Sequence, residues 1–167
     1  MSDRPVWIPA CVGIGSNLGE PVRQVRAALS ALAGLADTRL VLQSSLYRNP
    51  PMGPVEQADY VNAVAIVLTK LTPRRLLGEL QRLEWDQGRK RDGSQRWGPR
   101  ELDLDLLTYA WQCVDEEDLR IPHPGIPARN FVLFPLLEIA PHLHIPAAGP
   151  VWKLAVEVDV SNLRRIG

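Results

Sequence analysis

Lysine is nearly missing from this chain. Lys70, Lys90 and Lys153 stand against sixteen arginines, and none of the three follows a glycine. The Gly-Lys-Ser/Thr loop of P-loop nucleotide enzymes is therefore excluded. Net charge is missing too: 19 basic and 19 acidic residues cancel at pH 7, so no global field directs the chain to nucleic acid or an anionic membrane. Cysteine occurs only at Cys11 and Cys113, without metal-ligand or redox-motif spacing, which predicts two buried thiols in a reducing compartment. No apolar run is long enough to span a bilayer, and Pro9 interrupts the short N-terminal one. Neither a transmembrane helix nor a secretory signal is expected. These absences leave a cytoplasmic chain of 167 residues, 46% hydrophobic and 23% charged, expected to form one domain over residues 1–167.

What is present concentrates in Arg100-Glu101-Leu102-Asp103-Leu104-Asp105-Leu106-Leu107. Leucine and aspartate alternate there with the period of a β-strand, so Leu102, Leu104 and Leu106 project to one face and Asp103 and Asp105 to the other. A rise of about 3.3 Å per residue puts the two aspartates about 6.6 Å apart with parallel side chains. Like charges so placed repel, and Asp is a poor strand former. Such a pair calls for a positive partner: a neighbouring Lys or Arg on a solvated face, or divalent metal. Mg²⁺ takes one or two carboxylates and completes its shell with water and substrate phosphates.

The remainder of the chain punctuates itself. Residues 10–15 read as a strand running into Gly15-Ser16-Asn17-Leu18-Gly19, and 20–35 have helical spacing through Val22, Val25, Ala28, Leu29 and Leu32. Residues 38–47 look extended and end at Asn49-Pro50-Pro51-Met52-Gly53-Pro54. Residues 59–69 suit a central strand, Thr72-Pro73 starts a helix that continues to about Gly88, and the Asp strand runs to about Tyr109. The order β-α-β-β-α-β predicts an α+β, ferredoxin-like core with an antiparallel sheet. A Pro-rich segment at 120–130, a helix at 128–139 and a mixed tail follow it as C-terminal additions.

Phosphate binding needs another device, because Gly13, Gly15 and Gly19 miss the dinucleotide fingerprint by one place. The segment before the Asp strand carries Arg89, Lys90, Arg91, Arg96 and Arg100 against one acid, Asp92. Guanidinium groups bind phosphate oxygens in bidentate fashion and stay charged. Arginines on the phosphates and carboxylates on the bridging metal form a common division of labour in phosphoryl transfer.

The run Arg96-Trp97-Gly98-Pro99-Arg100-Glu101-Leu102-Asp103-Leu104-Asp105-Leu106-Leu107 resembles the signature of the 6-hydroxymethyl-7,8-dihydropterin pyrophosphokinases. Matching blocks in family order are Gly15-Ser16-Asn17-Leu18-Gly19, Tyr47-Arg48-Asn49-Pro50-Pro51, Asp59-Tyr60-Val61-Asn62-Ala63, Glu84 with Gly88-Arg89, Pro122-His123-Pro124, and Arg129 with Phe131 and Phe134-Pro135-Leu136. The resemblance covers nearly the whole chain. It implies transfer of pyrophosphate from ATP to the pterin hydroxymethyl group with release of AMP, and partners limited to those two small molecules. It further implies a monomer, with two Mg²⁺ ions on Asp103 and Asp105 and catalytic arginines at Arg89 and Arg100. Gln81, Glu84, Arg91, Arg96, Arg100, His123 and Arg129 fall where the family contacts ATP. Asn49, Pro50, Met52, Tyr60, Asn62 and Phe131 fall where it holds the pterin, Tyr60 and Phe131 as an aromatic sandwich. Asn49 replaces the family's usual Thr, and Pro124 follows His123. An RNA-binding ferredoxin-like domain is the rival outside enzymes, but it leaves the paired aspartates unexplained. A two-metal nucleotidyltransferase also uses Asp-x-Asp.

Overall fold

Proline opens both core helices, where its missing N–H costs nothing. The computed structural model describes residues 4–87 and 101–167. Strand β1 (Ile8–Ser16) leads to α1 (Pro21–Ala33), whose Val25, Ala28, Leu29 and Leu32 are buried. Helix α2 (Pro73–Asp86) begins at Thr72, whose hydroxyl caps the Arg75 N–H at 3.3 Å, and buries Leu76, Leu80, Leu83 and Glu84. Both apolar stripes recur every three or four residues and lie on the same face of the sheet.

That sheet contains β2 (Thr38–Gln43), β3 (Tyr47–Asn49), β4 (Tyr60–Thr69) and β5 (Asp103–Tyr109) with β1. All pairings are antiparallel, in the order β3-β4-β1-β5 with β2 also on β4. With α1 and α2 on one face, the topology is the expected ferredoxin-like one.

The single extended segment expected at 38–47 is instead two strands. At the break, the Ser44 N–H still reaches the Val64 carbonyl at 2.9 Å, but the Val64 N–H is accepted by the Ser44 hydroxyl at 2.9 Å, which donates to the Ser45 carbonyl at 2.7 Å, so a side chain takes over one ladder bond. The chain thus re-enters the sheet edge as β3 in a new register, pairing Tyr47 with Asn62 and Asn49 with Tyr60.

Beyond β5 comes a hairpin, β6 (Val114–Glu116) with β7 (Leu119–Ile121), then a 3-10 turn at Ile126–Ala128 and α3 (Asn130–Ile139). A two-residue pairing of β8 (His144–Ile145) with β9 (Gly149–Pro150) precedes α4 (Val151–Ala155). The final strand, β10 (Arg164–Arg165), pairs with β3. Helices α3 and α4 cover the second sheet face, where Cys11, Val64, Leu107, Val132, Leu133, Leu136 and Val151 form a second apolar cluster. The two cysteines differ, contrary to expectation: Cys11 is buried in this cluster, and Cys113 is exposed in the turn after β5.

Strand β5 serves both cores. Leu102, Leu104 and Leu106 face α1 and α2, as their alternation predicts, whereas Leu107 joins the opposite cluster. The same alternation puts Leu107 on the aspartate face; a bulge at this point, with Val12 paired to Leu106 and Cys11 to Thr108, then shifts the phase so that Tyr109 packs with the core of Leu102, Leu104 and Leu106.

Candidate active site

A cleft of about 440 Å³ opens on the α3 side of the sheet and reaches round the β5 edge to α2. Its floor is set by register. Tyr47 pairs with Asn62, Asn62 with Gly15 and Gly15 with Asp103, so these four lie in one row across β3, β4, β1 and β5. Directly paired residues point to the same face, and adjacent strands are about 4.8 Å apart. Asn62 and Asp103 thus flank a trough about 10 Å wide whose middle position, Gly15, has no side chain. Gly13, paired with Asp105, continues the bare strip. Two of the three glycines that miss a dinucleotide fingerprint, Gly13 and Gly15, form the floor of a cleft.

One bank of the trough is apolar and amide-bearing. Asn62 and Asn49 are both buried, and Asn62 Nδ2 donates to Asn49 Oδ1 at 2.5 Å. Asn49 Nδ2 in turn donates to the Pro50 carbonyl at 3.0 Å. Tyr60, Met52 and Phe131 complete this bank. Pro50 is displaced from it, lining a smaller adjoining cavity that shares Asn49, Met52 and Phe131 with the main cleft.

The other bank is polar. Asp103 and Asp105 line the cleft from the face of β5 opposite its leucines. Arg129 NH1 approaches Asp105 Oδ2 at 3.4 Å, and its guanidinium lies 5.8 Å from the centre of the Phe131 ring. His123 accepts the Gly125 N–H on Nδ1 at 2.9 Å and gives its own backbone N–H to the Leu107 carbonyl at 2.8 Å. Burial, and then the positive charge of Arg129, push the His123 imidazole down to about 4; Asp103 opposes them weakly. It is therefore neutral at physiological pH. Gln81 and Glu84 enter from α2, where buried Glu84 Oε1 accepts the Leu104 N–H at 2.8 Å on the outer edge of β5.

All expected site residues in the described chain thus converge on this cleft or its annex. Arg89, Arg91, Arg96 and Arg100 lie outside the described residues. Among the described residues, no group of three or more His, Cys, Asp and Glu assembles a metal site. Two neighbouring carboxylates on one strand face nevertheless suit Mg²⁺, which takes its other ligands from water and phosphate.

Two glycines have a spatial role that the sequence does not announce. A Cβ on Gly15 would stand 2.6 Å from Asn62 Oδ1, and one on Gly125 would stand 2.6 Å from Arg129 Nε. Both leave room for a functional side chain, a tertiary need with no local signature. Ser16 and Asn17 likewise hold contacts that the sequence block does not reveal. Ser16 Oγ donates to the Glu101 carbonyl, and Asn17 Nδ2 donates to Gln57 Oε1 at 2.9 Å and the Ala58 carbonyl at 3.1 Å. The end of β1 thereby anchors the approaches to both Asp103 and Tyr60.

The family model for 7,8-dihydro-6-hydroxymethylpterin-pyrophosphokinase (HPPK) matches residues 11–141. The chain belongs to this family. A 2-amino-4-hydroxy-6-hydroxymethyldihydropteridine pyrophosphokinase of Haemophilus influenzae is 50% identical over 147 residues, 88% of this chain and 91% of that one. The protein of the same name from Pseudomonas aeruginosa is 50% identical over 155 residues, 93% and 94% of the two chains. Among solved structures, a Plasmodium falciparum HPPK-DHPS triple mutant with pteroate superposes with a TM-score of 0.75 at 13% identity. It covers 99% of this chain, which spans only 48% of that longer one, so this likeness is one of fold. Among the described residues no helix is long and apolar enough to cross a membrane.

Proposed function

We propose that this chain is an ATP-dependent pyrophosphokinase of folate biosynthesis. In this reading it transfers the terminal pyrophosphoryl group of ATP to the hydroxymethyl oxygen of 6-hydroxymethyl-7,8-dihydropterin. The observation that carries the reading is the single row joining Asn62, Gly15 and Asp103: an amide bank for a flat heterocycle faces a carboxylate bank across one bare residue.

The pterin ring would lie between Tyr60 and Phe131, with its polar edge toward Asn62, whose amide offers both donor and acceptor. ATP would occupy the polar bank, with Gln81, Glu84, His123 and Arg129 near its nucleoside and phosphates. Asp103 and Asp105 would hold two Mg²⁺ ions, which when bound neutralise phosphate charge and acidify the attacking hydroxyl. A bond forms between the hydroxymethyl oxygen and the β-phosphorus, and the bond from that phosphorus to the α–β bridging oxygen breaks. AMP leaves with the bridging oxygen, and the hydroxyl proton passes to solvent. Arg89 and Arg100 would stabilise the charge moving along the phosphates, and Arg91 and Arg96 would add nucleotide contacts. Closure of 49–58 over the pterin would exclude water.

AMP release from ATP, followed with and without 6-hydroxymethyl-7,8-dihydropterin, tests the proposal. AMP that appears only with the pterin and Mg²⁺ is expected. Pterin-independent AMP, or none, refutes it.

A further inference from the structure

Two residues that line the proposed pterin slot come from elements far apart in sequence: Phe131 from α3 and Asn49 from β3. Strand β3 is only three residues long, too short to fix its own position firmly. It pairs with β4 on one side and with the two-residue β10 on the other. Something further must hold it against α3.

One side chain spans that gap. Glu138 lies seven residues after Phe131, two turns along the same side of α3. Its Oε1 accepts the Ser45 N–H at 3.0 Å and the Ser45 hydroxyl at 2.8 Å, and its Oε2 accepts the Tyr47 phenol at 2.6 Å. Arg165 of β10 approaches Oε1 at 3.8 Å. Tyr47 and Asn49 are two residues apart on one strand and so share a face. Asn49 in turn receives the Asn62 amide.

The electrostatics agree with a fixed ionic acceptor. Burial pushes Tyr47 up to about 12, and its bond to the Glu138 carboxylate adds to the rise. Burial opposes ionisation of Glu138 as well. Its bonds from Tyr47 and Ser45, with the charge of Arg165, outweigh that and hold it below the usual carboxylate range.

We propose that Glu138 is a positioning residue for pterin recognition. By tying Ser45 and Tyr47 to α3 it sets the separation between Asn49 and Phe131, and so the affinity for the flat heterocycle. It does so without touching the nucleotide bank: Gln81 and Glu84 belong to α2, His123 precedes the 3-10 turn, and Arg129, at the N-cap of α3, lies nine residues before Glu138. This inference rests on the pterin reading above.

The test measures pterin and ATP KM and kcat for wild type, Glu138→Ala, Glu138→Gln and the double variant Ser45→Ala/Tyr47→Phe. Loss of two or three hydrogen bonds that hold the slot should raise the pterin KM about tenfold or more in Glu138→Ala. ATP KM and kcat should stay within about twofold, because a slot-width defect is a binding defect for one substrate. Glu138→Gln keeps an acceptor for Ser45 and should recover most of the loss. Should Glu138→Ala not fold, the double variant keeps the carboxylate, removes its two side-chain donors and should show the same selective rise. An unchanged pterin KM in the variants that fold, or an equal rise for ATP, overturns the inference. A wild-type chain that makes no pterin-dependent AMP instead overturns the function on which it rests.

Discussion

Replacing Gly15 by alanine adds one methyl group at the middle of the trough. The new Cβ would lie 2.6 Å from Asn62 Oδ1, about 0.8 Å inside the 3.4 Å at which ordinary contact begins. Asn62 is a terminal amide and can turn, but it is not idle: its Nδ2 is committed to Asn49 at 2.5 Å. Turning it about 30° off its rotamer costs about 0.5–1.5 kcal/mol, and losing the amide–amide bond costs a further 0.5–1.5 kcal/mol or so. The sum, about 1–3 kcal/mol, corresponds to roughly a five- to 150-fold rise in pterin KM if it falls on the bound state. Stability should change less. Alanine restricts the unfolded chain and returns about 0.4–1 kcal/mol, so the net melting shift should stay within several degrees. Steady-state kinetics with each substrate varied, alongside thermal melting, separate the two effects. A Gly15→Ala enzyme with wild-type pterin KM would refute the role given to the bare strip. So would an ATP KM that rises by the same factor.

Asp103→Ala and Asp105→Ala should each reduce turnover to background while the far-UV circular dichroism and melting transition persist, since each removes a like charge from a half-buried face. Full activity in either variant removes it from the proposed magnesium site. In metal-free and nucleotide-free protein, stability should fall as pH drops from about 6.5 toward 4, because the unfolded chain accepts a proton that the folded His123 site refuses. Denaturant titrations should show a shallower slope across that window for His123→Gln, and an unchanged slope would remove His123 as the source. Thiol titration should find one reactive cysteine in the native protein and two after unfolding. Cys113 is exposed, whereas Cys11 is buried and pushed up to about 11 by burial, with a bond to Thr108 opposing it. Two reactive native thiols would contradict the buried placement of Cys11.

Regular alternation and capping made most of the core legible. Leu102, Leu104 and Leu106 declare their face, Thr72-Pro73 declares a helix start, and the aspartates between the leucines declare a charged face on the same strand. What stayed hidden depends on partners distant in sequence. The break at Ser44 is invisible because its cause is the Val64 N–H on another strand. Nothing local to Gly15 or Gly125 shows that Asn62 and Arg129 occupy the space a Cβ would need. Cys113 follows no periodic pattern that could announce its exposure. Glu138, a lone acid in a helix otherwise made of apolar residues and one asparagine, is the clue that local reasoning passed over. An ionised group there required partners, and Ser45 and Tyr47 are those partners.

The bulge at Leu107 divides β5 into two territories. Upstream of it, every second residue is exposed to the cleft and answers to ligands. Downstream, Leu107, Thr108 and Tyr109 are enclosed and answer only to packing. A saturation scan along this one strand should therefore alternate before the bulge, between folded proteins that do not turn over at Asp103 and Asp105 and proteins that fail to accumulate at Leu104 and Leu106, and show only the second phenotype from Leu107 onward. Evolution can retune the cleft-facing positions of the first half without endangering the scaffold, because alternation keeps the two kinds of constraint on separate residues there.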